Sequence, residues 1–244
     1  METRSLNQTK QWLKNSRHPL PVLLLRLLKA IFYFQLPAPK FLLLPAYTLY
    51  VLLRNASATF TRIFIWTPLF KGRINKVGQQ LNLYGGLPYI CGPLTIQLGD
   101  NCRISGQSTF TGRSCNVTTA QLSIANNVDI GWMTTIAVGS KVIIHDNVRI
   151  AGRALLAGYP GHPFDPQERA QGLPETQQQV GDIILEKDVW LATGVSVMAG
   201  VRIGEGSIIA AGSVVTHDIP AMVLAGGIPA RVIRPLKSNQ PEVK

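Results

Sequence analysis

The sequence predicts a mainly β protein: a parallel β-helix preceded by an apolar, basic α-helical segment. Two observations predict it, a six-residue rhythm and a lopsided charge distribution. From Leu185 six consecutive units read LEKDVW, LATGVS, VMAGVR, IGEGSI, IAAGSV and VTHDIP. Their first positions are Leu185, Leu191, Val197, Ile203, Ile209 and Val215, all aliphatic. Their fifth positions are Val189, Val195, Val201, Ser207, Ser213 and Ile219, all small or β-branched. A period of six is neither the 2 of a strand nor the 3.6 of a helix. It is the period of a coil of short strands and turns, in which each unit buries its aliphatic residue by stacking on the next coil. The formal net charge of +11 sits in the first third. Residues 1–76 hold twelve Lys and Arg but one acid, Glu2, and the next acid is Asp100.

The elements follow in order. Residues 1–18 are polar and basic and suit a tail or a short helix. The basic residues beyond them are threaded through three apolar runs, starting at Leu20, Phe41 and Phe60. Basic charge mixed with long apolar runs fits an anionic membrane surface better than nucleic acid. A spanning helix needs about 20 mostly apolar residues. Arg26 and Lys29 interrupt the first run, and Pro45 falls in the short second one, so interfacial helices or a shallow re-entrant hairpin are expected. The other reading is an amphipathic cap on the β-helix. Pro37, Pro39, Pro45 and Pro68 are expected to divide residues 19–70 into short helices. The late, charged apolar stretch lacks a cleavage site and does not read as a signal peptide.

Residues 71–93 are a Gly-rich entry into β structure. The rhythm then runs through Leu98, Ile104 and Phe110, through Ile124, Ile130 and Ile136, and through Ile144, Ile150 and Leu156. Between these sets lie short turn insertions. Asp100-Asn101, Asn126-Asn127 and Asp146-Asn147 suit the corners, because Asn and Asp tolerate the left-handed conformation. A 23-residue interruption, Gly158–Val180, breaks the array before its most regular part. A loop of that length in a compact domain is usually functional or disordered. The organisation expected is therefore a membrane-associating segment over 1–76, a β-helix over 77–236 with an active-site loop at 158–180, and a flexible tail over 237–244. Cys91, Cys102 and Cys115 lack metal-ligand spacing and read as reduced thiols of a cytoplasmic protein.

Among four histidines, His18 lies in the basic tail, His145 suits a surface corner, and His217 neighbours Asp218 in a late coil. His162 differs. It stands in GHPFD at the start of the long interruption, where Gly161 and Pro163 fix the backbone and a rigid scaffold presents the imidazole. The array, the GHP loop and the closing GIPARVIR together resemble the hexapeptide-repeat O-acetyltransferases, among them the galactoside and maltose acetyltransferases and the polysaccharide acetyltransferases of colanic-acid and O-antigen assembly. The resemblance covers roughly 94–236 and does not extend over 1–90.

The resemblance implies a left-handed parallel β-helix, a homotrimer with its sites between neighbouring prisms, and acetyl-CoA as donor with no metal required. It implies that His162 is the general base that deprotonates an acceptor hydroxyl for direct attack on the thioester. By position it implies acetyl-CoA contacts at Trp190, Thr193, Ala211, Thr216, His217, Arg231 and Arg234, and acceptor contacts at Trp132 and Met133. Met133 replaces a usual Asn, which implies a bulkier, more apolar acceptor site. His217 replaces a usual Lys near the CoA phosphates. The basic apolar N-terminus then points to a lipid-linked or other membrane-borne glycan on the inner face of a bacterial cytoplasmic membrane. Three alternatives stand beside this reading: transfer to a soluble sugar or from a longer acyl donor, a γ-type carbonic anhydrase on the same scaffold, and a non-catalytic membrane scaffold.

Overall fold

The computed structural model describes residues 6–16, 18–115 and 119–236. The chain divides into two compact units, Met1–Arg54 and Asn55–Lys244, so the division falls earlier than the 76/77 boundary expected from charge.

The first unit is helical. α1 (Leu6–Asn15) and α2 (Pro19–Phe32) precede the Pro37–Pro39 break, and α3 (Lys40–Thr61) starts after it. Pro45 does not divide α3, contrary to expectation. It lies near the helix start, where a missing N–H forfeits one hydrogen bond to Phe41 and leaves the later turns intact. α3 runs through a π-helical turn, Arg62–Trp66, into α4 (Thr67–Arg73), whose second residue is Pro68. The wider π turn ahead of Pro68 carries the break in the bonding ladder, and the chain continues helical through it. No residue of α3 is buried.

The second unit takes in the end of α3, the π turn and α4, and from Lys76 onward it is a three-sided prism. One sheet stacks Lys76–Val77, Leu94–Leu98, Ala120–Ile124, Lys141–Ile144, Ile183–Leu185 and Arg202–Ile203. A second stacks Asn82–Tyr84, Arg103–Ser105, Asp129–Ile130, Arg149–Ile150, Trp190–Leu191 and Ile208–Ile209, and ends in Val223–Gly227 and Ala230–Pro235. The third stacks Tyr89–Cys91, Thr109–Gly112, Thr135–Val138, Leu155–Ala157, Ser196–Met198 and Val214–Val215. All pairings are parallel except the closing pair, Val223–Gly227 with Ala230–Pro235. This is the left-handed parallel β-helix with N-terminal helices that the sequence and its resemblance led one to expect.

The rhythm maps directly onto burial. All six first-position aliphatics from Leu185 to Val215 are 0% exposed, and the fifth positions also point inward. Leu185 pairs with Ile203, an 18-residue coil, while Ile144 pairs with Leu185, a coil 23 residues longer. That excess equals Gly158–Val180, so the interruption is inserted at one corner without disturbing the stack. The corner residues Asn101, Asn127, Asn147 and Asp188 have φ of 56°, 55°, 61° and 60°. Their side chains form a ladder: Asn127 Nδ2 donates to Asn147 Oδ1 at 2.7 Å, and Asn147 Nδ2 to Asp188 Oδ1 at 2.8 Å.

Both ends of the prism are closed. Trp66 packs on the core, and Phe70 and Ile74 are buried in it. The cap reading therefore holds for this stretch, and Phe70 belongs to the core rather than to the exposed apolar segment expected over 1–70. At the other end Ser207 Oγ donates to the Pro220 carbonyl at 2.7 Å and accepts from Val223 N–H at 3.1 Å. Ser213 Oγ likewise donates to the Ala210 carbonyl and accepts from Gly227 N–H. These serines replace the β-branched residues of the array where buried hydroxyls can tie in the closing strands.

Candidate active site

The long excursion leaves the third sheet after Ala157 and returns to the first at Ile183. It is pinched at its base, where Gly181 N–H donates to the Gly158 carbonyl at 3.0 Å and Gly158 N–H to the Ala137 carbonyl at 2.8 Å. The pinch requires glycine: a Cβ on Gly139 would stand 2.3 Å from the Gly158 carbonyl oxygen, and one on Gly181 2.3 Å from Gly200 N. Within the excursion, α5 (Pro166–Ala170) is capped by Asp165, whose Oδ1 accepts from Gln167 and Glu168 N–H at 2.8 and 2.9 Å. Arg169 donates back to the Pro163 carbonyl at 3.0 Å and to that of Phe164. The excursion is thus a structured arm.

His162 sits at the start of this arm with its side chain exposed, between buried Pro163 and the αL residue Gly161. Its carbonyl accepts from Gln179 Nε2 at 3.5 Å. Beside it runs an open groove of about 580 Å³ lined by Tyr159, Phe164, Gln179, Val180, Met198 and Gly200. The Tyr159 hydroxyl is 3.2 Å from Thr111 Oγ1, which holds the outgoing limb against the third sheet.

The other expected site residues occupy two edges and one end of the prism. Thr216 and His217 follow the last strand of the third sheet and so share the His162 edge, with Thr216 Oγ1 2.8 Å from His217 Nδ1. Trp132, Met133, Thr193 and Ala211 lie at the opposite edge, between the second and third sheets. Trp190, on the second sheet, is exposed. Arg231 and Arg234 are exposed on the closing strand, opposite Gly226 and Leu224. Met133 is in the αL conformation at φ 57°. Trp132 packs against Gly152, whose Cβ would come within 2.4 Å of the indole. One chain therefore places Thr216 and His217 on the His162 edge, two coils further along the stack, and Trp132, Met133, Thr193 and Ala211 on another edge. Among the described residues no group of three or more His, Cys, Asp and Glu could hold a metal ion.

Sequence reasoning missed Arg113 and Glu175. Their side chains form an ion pair with each group 5% exposed. Arg113 Nη2 also donates to the Glu175 carbonyl at 2.9 Å, and Nη1 to Gln177 Oε1 at 2.7 Å. The signal available was an acid in a Pro- and Gln-rich stretch, but nothing in the spacing pairs it with a residue 62 positions away.

Residues 182–217 match the model of the bacterial transferase hexapeptide, six repeats. Over those residues the chain is similar to the hexapeptide-repeat transferases. It is 35% identical over 146 residues to the galactoside O-acetyltransferase of Lactococcus lactis subsp. lactis, covering 59% of this chain and 64% of that protein. To the galactoside O-acetyltransferase of Escherichia coli it is 37% identical over 120 residues, covering 49% of this chain and 57% of that protein. The chain spans less than two thirds of the length of these curated relatives. Among solved structures, AntD, an N-acyltransferase from Bacillus cereus in complex with dTDP and 3-hydroxybutyryl-CoA, superposes with a TM-score of 0.55 at 20% identity, covering 70% of this chain and 88% of that one. At that identity the likeness of this hexapeptide-repeat chain to AntD is one of fold.

Proposed function

We propose that the protein is an acetyl-CoA-dependent O-acyltransferase that acetylates a hydroxyl of a saccharide, and that its acceptor is a membrane-borne or lipid-linked glycan. The observation that carries the reading is the placement of His162, an exposed imidazole at the pinched base of a structured arm beside an open groove. Naming of the relatives as galactoside O-acetyltransferases supports the reaction class.

In the mechanism, the neutral imidazole takes the proton of the acceptor hydroxyl as its oxygen attacks the thioester carbonyl. The tetrahedral intermediate collapses with loss of the CoA thiolate, and the imidazolium returns its proton to that sulfur. No acyl-enzyme forms. Trp190, Thr193 and Ala211 would flank the pantetheine, and Arg231 and Arg234 would meet its phosphates, a task suited to guanidinium groups. Thr193 and Ala211 share no edge with His162, so the site is completed by a second copy, its donor edge against the His162 edge of the first. A homotrimer closes that arrangement around a threefold axis.

Support for the membrane-borne acceptor comes from α2 and α3. Leu24, Leu28, Phe41, Leu44, Tyr47 and Leu52 are among their exposed apolar residues, and Lys and Arg intervene without a single acid. No helix among the described residues is long and apolar enough to cross a membrane. The helices would instead lie in the interface of an anionic leaflet, on the inner face of the cytoplasmic membrane where acyl-CoA is supplied.

The test is transfer from labelled acetyl-CoA to bacterial membrane glycolipids, followed by the mass of the product, with His162→Ala as control. General-base removal is expected to cost roughly 10²–10⁴-fold in rate. Equal transfer by the variant overturns the assignment of the base, and acetylation of soluble galactosides alone overturns the membrane acceptor.

A further inference from the structure

We infer that Arg113 and Glu175 are positioning residues that set the location of the His162 imidazole, an inference that rests on the reading of His162 as the base. Arg113 follows the strand Thr109–Gly112, two coils toward the N-terminal end of the prism from the coil that releases the arm. Its backbone is fixed to the stack, Arg113 N–H donating to the Val138 carbonyl at 3.1 Å. Its guanidinium holds the returning limb of the arm at three points, the Glu175 carboxylate, the Glu175 carbonyl and Gln177 Oε1.

From Glu175 the contacts run on to the histidine. The next residue, Thr176, donates from both its N–H (2.8 Å) and its hydroxyl (3.1 Å) to Gln179 Oε1. That orients the amide of Gln179 so that its Nε2 faces the His162 carbonyl at 3.5 Å. The arm is therefore tied to the prism at its base by glycine backbones and at its far side by one buried ion pair, with His162 between the two ties. A buried guanidinium and carboxylate are costly to desolvate, and their pairing is weak evidence of a gain in stability. What the pair supplies is a defined geometry. An arm of 23 residues with little apolar content needs such a tie to hold one conformation, and small misplacement of a catalytic group slows a reaction about 100-fold.

Three variants test this: Arg113→Lys, which keeps the charge and loses the fork; Glu175→Gln, which keeps the shape; and Gln179→Met, which leaves the buried pair intact and removes the amide that joins Thr176 to His162. The first readout is hydrogen exchange over residues 158–165, with thermal unfolding as a check on the prism. Exchange is expected to rise there in Arg113→Lys and Gln179→Met while the strands stay protected. The second readout is turnover with labelled acetyl-CoA and lactose or membrane glycolipid as acceptor. kcat is expected to fall roughly 10- to 100-fold with KM for acetyl-CoA within about twofold. Unchanged exchange over 158–165 in Arg113→Lys overturns the inference. So does unchanged kcat in Gln179→Met when His162→Ala is inactive, which leaves the base assignment standing. Full activity of His162→Ala overturns that assignment, and this inference with it. If Glu175→Gln does not fold, the other two variants decide the matter.

Discussion

At the scale of single residues the structure turns on what each corner demands of the backbone. Asn147 adopts φ 61° and stands in the middle of the ladder, bonded to Asn127 below and Asp188 above. Left-handed backbone costs an ordinary L residue about 1–2 kcal/mol, and each hydrogen bond contributes roughly 0.5–1.5 kcal/mol. Asn147→Ala should lower stability by about 2–3 kcal/mol. Asn147→Gly keeps the backbone and loses only the ladder, so it should cost about half as much; the urea midpoints of the two variants measure the difference. The cysteines make a second case. Cys102 is buried, Cys91 half-buried and Cys115 exposed, and all are free. Burial pushes the Cys102 thiol up from its ordinary value, and Sγ donates to the Ala125 carbonyl at 3.1 Å. A raised pKa leaves less thiolate at a given pH, and the thiolate is the nucleophile. Iodoacetamide at pH 8 should therefore modify Cys115 first and Cys102 last, and the Cys102 rate should keep rising at pH values above the ordinary thiol range. Peptide mass spectrometry reads the order, and early labelling of Cys102 would contradict it.

At the scale of elements, α2 and α3 leave most of their apolar residues exposed, whereas the arm is bonded back onto the prism. Helix α3 presents apolar residues along its length with Lys40 at its start and Arg54 after its long apolar run. Each basic residue near an anionic surface contributes about 1 kcal/mol. Replacing Arg26, Lys29, Lys40 and Arg54 by Gln should weaken co-sedimentation with phosphatidylglycerol vesicles by roughly fivefold per charge, and should leave the slight binding to phosphatidylcholine unchanged. Equal loss on both vesicle types would show that the charges act on folding instead. The same contrast explains what was legible in the sequence. Inward positions could be read because burial follows the six-residue rhythm within each uninterrupted set of coils, and corner Asn and Asp because αL tolerance is local. The tie between Arg113 and Glu175 could not, because it depends on how a long arm folds back over two coils. Nor could the continuity of α3 through Pro45, since the effect of proline depends on where the helix happens to start.

At the scale of the whole molecule, the regular coils are exchangeable units whose inward and outward faces are set by register. The stack from Leu185 repeats every 18 residues over three sheets, as Leu185 with Ile203, Leu191 with Ile209 and Val197 with Val215 show. Stability in such an array is a sum of coil terms and nearest-neighbour contacts. Deleting residues 186–203, one full coil, joins Leu185 to Gly204 at the position Glu186 held. Every later aliphatic then meets the coil below on the same sheet as before. Such a variant should fold, retain the β circular-dichroism signal of the remaining coils and unfold cooperatively at a somewhat lower temperature. Deleting residues 186–202 removes one residue fewer and points the next inward set outward, since side chains alternate along each strand. The aliphatic first positions would then face solvent, and the serines at Ser207 and Ser213 would lose the carbonyls and N–H groups they now bond. That variant should aggregate or unfold at low denaturant. The comparison uses nearly the same composition and length, so a similar fate for the two would show that stacking register is not what holds this prism together.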